Sequence, residues 1–114
     1  MSSLKQGMKF KGYLYLFKQK YEYELNILEI LPDNNQFLFE HTIILNGMVE
    51  DKKTGKGFQE NKDVNITILK YSDSETEFEG DLNLNIYEFV GTAKQIKGIL
   101  ANNEGDFLIN LINE

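Results

Sequence analysis

The chain contains no cysteine, no tryptophan and no arginine, and it has a single proline and a single histidine. Without cysteine there can be no disulfide scaffold, thiolate zinc site or cysteine nucleophile, and the redox compartment stays open. All 12 basic residues are lysine, so the planar fork that grips phosphate or carboxylate with two parallel hydrogen bonds is missing. Serine occurs only at Ser2, Ser3, Ser72 and Ser74, at the N-terminus or in one turn. That leaves no place for a serine triad, which needs its nucleophile fixed beside a histidine and a carboxylate. One histidine cannot build a multi-histidine metal site, and no catalytic residue, metal ligand set or cofactor is expected. The segment Thr54-Gly55-Lys56-Gly57 falls short of a phosphate-binding loop, with Glu50 where the first glycine belongs and Gly57 where serine or threonine belongs.

Long apolar runs are also missing. None approaches the roughly 20 residues needed to span a bilayer, and Met1-Ser2-Ser3-Leu4-Lys5 lacks the apolar centre of a signal peptide. A cytoplasmic protein with no membrane partner is expected, the alternative being a mature form whose signal has been removed. In the cytosol the sequon Asn65-Ile66-Thr67 has no consequence. A net charge of -6 argues against nucleic acid, whose binding is driven by clustered cations.

What the chain does have is alternation. In a strand successive side chains point to opposite faces, so an apolar period of two argues for half-buried strands and against helix. It is clearest over residues 63–86, where Val64, Ile66, Ile68, Phe78, Leu82, Leu84 and Ile86 share even positions. A turn centred on Asp73 would pair Ile68 with Phe78 and Val64 with Leu82, and bury that even face. Residues 1–7 read as a loose leader. Residues 8–17 form a first strand with Met8, Phe10, Leu14 and Leu16 on one face and Tyr13, Tyr15 and Phe17 on the other. Tyr21, Tyr23, Leu25 and Ile27 then alternate with polar residues; a two-residue loop at Gln19-Lys20 sets Leu16 facing Tyr23 and Leu14 facing Leu25, whereas a three-residue loop would turn Tyr13, Tyr15 and Phe17 inward.

Beyond Ile27 the apolar phase slips by one, to Leu28 and Ile30, as an inserted residue in a bulged strand would cause. Pro32-Asp33-Asn34-Asn35 is a turn by composition. Across it Ile30 should oppose Phe37, Leu28 oppose Phe39 and, past the bulge, Leu25 oppose His41, which places the lone histidine inside. Asn46-Gly47 marks another turn, with a short strand from Met48 to Glu50, a polar turn over 51–57 and a return strand from Phe58 to Lys62. Residues 92–100 are read as strand leading into a hairpin closed by Phe107 to Ile112, a short helix capped by Thr92 and Gln95 being the alternative.

The 114 residues thus predict one all-β domain, an antiparallel meander of about eight strands closed into a small barrel or curled into a sandwich. Through Phe10-Lys11-Gly12, Tyr21-Glu22-Tyr23-Glu24-Leu25, Phe78-Glu79-Gly80-Asp81-Leu82 and Phe89-Val90-Gly91-Thr92-Ala93, the chain resembles short lipocalin-like (calycin) barrels. The resemblance implies binding of a small apolar molecule. It lacks the tryptophan of the lipocalin signature, and no ligand residues carry over.

Three functions follow from the residues. The first is a non-enzymatic barrel holding a small apolar ligand among Tyr21, Tyr23, Phe37 and Phe39, with His41 as a polar handle. The second is an acidic protein-interaction module, an inhibitor or immunity-type protein. It would use the face of Tyr13, Tyr15 and Phe17 and the acidic stripe of Glu77, Glu79 and Asp81 toward a basic protein or a second copy in a homodimer. The third is a cofactor-free isomerase or cyclase with His41 and a tyrosine as acid and base. A hollow interior favours the first and third, a packed one the second.

Overall fold

The alternation becomes strand wherever turn residues let neighbouring runs pair. The computed structural model describes residues 4–33 and 35–113. Within them lie β1 (Lys9–Leu16), β2 (Gln19–Ile30), β3 (Gln36–Leu45), β4 (Met48–Asp63), β5 (Ile66–Ser72), β6 (Thr76–Asn83), β7 (Glu88–Gln95) and β8 (Glu104–Leu111). Each strand pairs antiparallel with the next and β8 pairs with β1, so the meander closes into a barrel rather than a sandwich. Residues 92–100 divide between β7 and the turn that follows it, without helix. Among the described residues no helix is long and apolar enough to cross a membrane.

Eight strands enclose a space that side chains can just fill. Here it holds Phe10, Leu14, Tyr23, Leu25, Ile27, Phe37, Phe39, Leu69, Tyr71, Phe78, Leu82, Phe89, Phe107 and Ile109, all buried. The slip after Ile27 is a bulge between Ile27 and Glu29, and it sets Ile30 opposite Phe37 and Leu25 opposite His41 as the phase predicts. Ile27, not Leu28, opposes Phe39, because Leu28 is itself the inserted residue and points out.

Four expectations are corrected. In the β5–β6 hairpin Tyr71 opposes Phe78 and Thr67 opposes Leu82, three residues away from the register centred on Asp73. An odd shift turns a strand over, so Thr67, Leu69 and Tyr71 are buried, Ile66 and Ile68 are only partly so, and β6 alone keeps its even face inside. Val64 is left 83% exposed in the β4–β5 turn, and Ile86 is exposed in the β6–β7 turn. The physical cause is Asp73, which opens the turn instead of centring it: its Oδ1 accepts the N–H groups of Glu75 (2.7 Å) and Thr76 (2.8 Å).

The β1–β2 loop is Phe17-Lys18, not Gln19-Lys20. Both residues adopt positive φ (55° and 60°), the twist that matches a two-residue hairpin. Leu14 therefore opposes Tyr21 and Leu16 opposes Gln19, an even shift that leaves the faces unchanged but removes Phe17 from the strand. Residues 51–57 are not a turn but the middle of β4, where Gly55 and Gly57 lie across from Phe39 and Phe37. A Cβ at Gly57 would run into the Phe37 ring and the Tyr71 Cβ, so glycine serves here as space for aromatic rings. Gly57→Ala is expected to cost about 1–3 kcal/mol by overpacking, read as a lower melting temperature with an unchanged strand spectrum. Finally, the leader is not loose from Leu4 onward: Leu4 is buried in the core and the Gly7 N–H donates to the Ile27 carbonyl at 2.8 Å. Residues 1–3 and Asn34, which the leader and turn expectations also cover, lie outside the described residues.

Candidate functional site

His41 projects inward from β3 into a box of rings. Its imidazole meets Phe39, Phe78 and Tyr23 edge-on at centroid distances of 5.2, 5.2 and 5.5 Å. A polar group in such surroundings needs partners for both ring nitrogens. Nε2 lies 2.7 Å from Oδ2 of Asp73, and Nδ1 lies 2.7 Å from the Tyr23 hydroxyl, which in turn is 2.8 Å from the Tyr71 hydroxyl. Among the described residues no buried side-chain nitrogen or oxygen lacks a partner.

The carboxylate anchors this chain. Burial alone would push the Asp73 carboxyl up, but hydrogen bonds from His41 and from the Glu75 and Thr76 amides outweigh it and hold it below the usual carboxylate range. Asp73 is then an anion that only accepts, so Nε2–H of His41 donates to it. A neutral imidazole then accepts from Tyr23 at Nδ1 with Tyr71 donating to Tyr23, whereas a charged one donates at Nδ1 and the two tyrosines reverse. Burial pushes the Tyr23 hydroxyl well above its ordinary value, reinforced by Tyr71 and by the Asp73 charge. Burial also pushes Tyr71 up, against the lowering effect of its bond with Tyr23. Neither phenol supplies a phenolate near neutral pH, and all four groups are closed off from solvent.

The loop that carries Asp73 is held from outside as well. Glu75 Oε1 pairs with Lys53 Nζ at 2.8 Å, a hydrogen bond that raises the Lys53 pKa, and the Glu75 carbonyl accepts the Ile96 N–H at 2.8 Å. Thr76 Oγ1 donates to Gln95 at 3.1 Å. What the arrangement does chemically is pin the β5–β6 turn across the barrel mouth. Alkaline titration followed by tyrosine absorbance should show two of the six tyrosines, Tyr23 and Tyr71, ionising only as the barrel unfolds. Six ordinary transitions in the folded protein would contradict this placement.

The structure gathers Tyr23, Phe37, Phe39 and His41 into one ring cluster, together with Tyr71, Phe78, Phe89 and Phe107. Tyr21 packs half-buried against the core outside that ring cluster, and it borders a surface concavity of about 260 Å³ with Tyr13, Lys20 and Leu45. Tyr13 and Tyr15 lie exposed on the outer wall, whereas Phe17 folds against the core. A second concavity, of about 340 Å³, is lined from β4 to β8 by the outward Phe58, Lys70, Glu79 and Thr92, by Glu104 and by the core residues Tyr71 and Phe78. Sequence reasoning missed Asp73 and Tyr71. The signal for Asp73 was its place two and three residues before backbone donors it could accept; Tyr71 carries no such signal, because its face depends on the register. Among the described residues no group of three His, Asp or Glu side chains could hold a metal ion.

Comparison with protein-family models and with curated proteins finds no match to the chain. The closed antiparallel eight-strand barrel is compatible with a calycin-like architecture, and it is compatible with ligand binding.

Proposed function

We propose that this protein is a non-enzymatic binding barrel that engages a protein partner on the outside of its wall. The observation that carries the reading is that the interior handles are spent on one another. Each polar atom of Asp73, His41, Tyr23 and Tyr71 that a ligand would use already has a partner inside the core, and the rings around them are in contact. Large apolar side chains instead stand exposed on the wall, among them Tyr13, Tyr15, Val90 and Leu108. Apolar patches of that kind usually mark interfaces, and tyrosine suits them because its ring is apolar while its hydroxyl stays wet. A cytoplasmic setting belongs to the same proposal.

A small apolar ligand in the interior is the second reading, favoured by the aromatic lining and by the four polar groups within it. Titration with anilinonaphthalene sulfonate, followed by amide and methyl NMR, separates the two. Shifts confined to Tyr13, Val90 and Leu108 support the outer wall. Shifts at His41, Phe78 and Phe107 sink it in favour of the interior.

A further inference from the structure

We propose that the partner on this wall is a second copy of the chain, and that the two barrels meet through β7, β8 and β1 with the two-fold axis lying along β8. The proposal rests on the outer-wall reading and adds to it the identity of the partner and the geometry. Within the wall formed by β7, β8 and β1 each strand is paired on both sides, so that stretch offers no free edge to which a strand could be added. Association there has to use side chains of the wall.

The ladders place those side chains in rows. Tyr13 pairs with Leu108 and Leu108 with Val90, which makes an apolar row of three residues exposed by 47%, 40% and 43%. On one side of it lies the row Lys11, Asn110, Glu88, and on the other Tyr15, Asp106, Thr92. Lysine and glutamate thus stand at equal distance from β8 in the same row. Rotation by half a turn about an axis along β8 keeps each row at its own height and exchanges its ends. Lys11 of each copy then faces Glu88 of the other, Tyr13 faces Val90, and Leu108 meets Leu108. Such a self-complementary patch is what an isologous interface requires.

Two local features prepare the surface. The Tyr13 ring is already held by Lys20, whose Nζ lies 3.9 Å from its centroid, so less side-chain freedom is lost on contact. Among the described residues Lys11 is paired with Glu24 alone, half-exposed at 3.9 Å, too weak a contact to keep it from a better partner. One contact opposes the arrangement: Asp106 sits on the axis and meets its own copy.

Sedimentation equilibrium of the full chain tests the proposal. The wild type is expected to be dimeric, and Leu108→Lys monomeric with an unchanged strand spectrum and a melting temperature that no longer rises with protein concentration. Lys11→Glu and Glu88→Lys should each weaken the dimer by roughly tenfold or more, the double reversal should regain most of that loss, and Asp106→Asn should tighten it. A wild type that stays monomeric at every concentration overturns the proposal, while the outer-wall reading still stands if the apolar probe maps to Leu108 and Val90. A dimer indifferent to Leu108→Lys, or a double reversal no better than its single variants, overturns it too.

Discussion

Replacing Asp73 with alanine is expected to destabilise the barrel by about 3–5 kcal/mol, since each buried donor left without its acceptor costs roughly 1–3 kcal/mol. The change strands three donors at once: Nε2–H of His41 and the amides of Glu75 and Thr76. Asp73→Asn should cost clearly less, because the chain can reverse. The asparagine oxygen keeps the backbone donors, its amide donates to Nε2, and Nδ1–H of His41 then donates to Tyr23, which donates to Tyr71. Urea denaturation gives the two stability losses, and the imidazole nitrogen shifts report the tautomer. An Asp73→Ala protein within about 0.5 kcal/mol of wild type, the scatter of ordinary surface changes, would remove the network from any part in stability.

The same carboxylate sets a pH dependence. Its pKa in the folded chain lies below the ordinary 3.8, so the folded state holds the anion where the unfolded chain would begin to bind a proton. The stabilisation is therefore fully present above that ordinary value and is lost as pH falls through the lower, folded one. Other carboxylates titrate in both proteins and cancel in the difference between wild type and Asp73→Asn. That difference should shrink as pH falls below the ordinary carboxylate value. A gap that widened in acid would reverse the assigned direction.

The second large effect is expected at Phe78. Its ring stacks on Tyr23 (5.2 Å, 7°) and on Tyr71 (5.0 Å, 4°), and meets His41 and Phe107 edge-on. Phe78→Ala removes all four contacts from a closed space, with an expected loss of about 3–5 kcal/mol. Phe58→Ala, on the half-exposed outer face of β4, should cost far less. The cavity left at Phe78 is lined by rings, so the truncated barrel is expected to bind benzene and regain part of its stability. Similar losses at both positions, with no benzene effect, would place Phe78 outside the core.

Much of this was legible in the residues. The period of two, the phase slip after Ile27 and the Asn46-Gly47 turn predict all-β hairpins, the bulge and an inward His41, because each depends on backbone geometry that neighbours in sequence determine. Tyr23, Phe37 and Phe39 follow from the same alternation. The glycines of β4 read as a turn because the feature that makes them useful, the rings of Phe37 and Phe39, lies on another strand. Phe17 read as part of the tyrosine stripe because nothing local shows that the chain turns one residue after Leu16.

Alternation alone therefore settles the class of fold and the inward side of β2, β3 and β6. The tertiary structure alone decided the register of β5, the inward placement of Tyr71 and the partnership of Asp73 with His41. The reason is that alternation specifies a face only relative to a register. In the β5–β6 hairpin the register is set by a carboxylate that folds back on its own turn and reaches, across the barrel, a histidine 32 residues earlier in the chain.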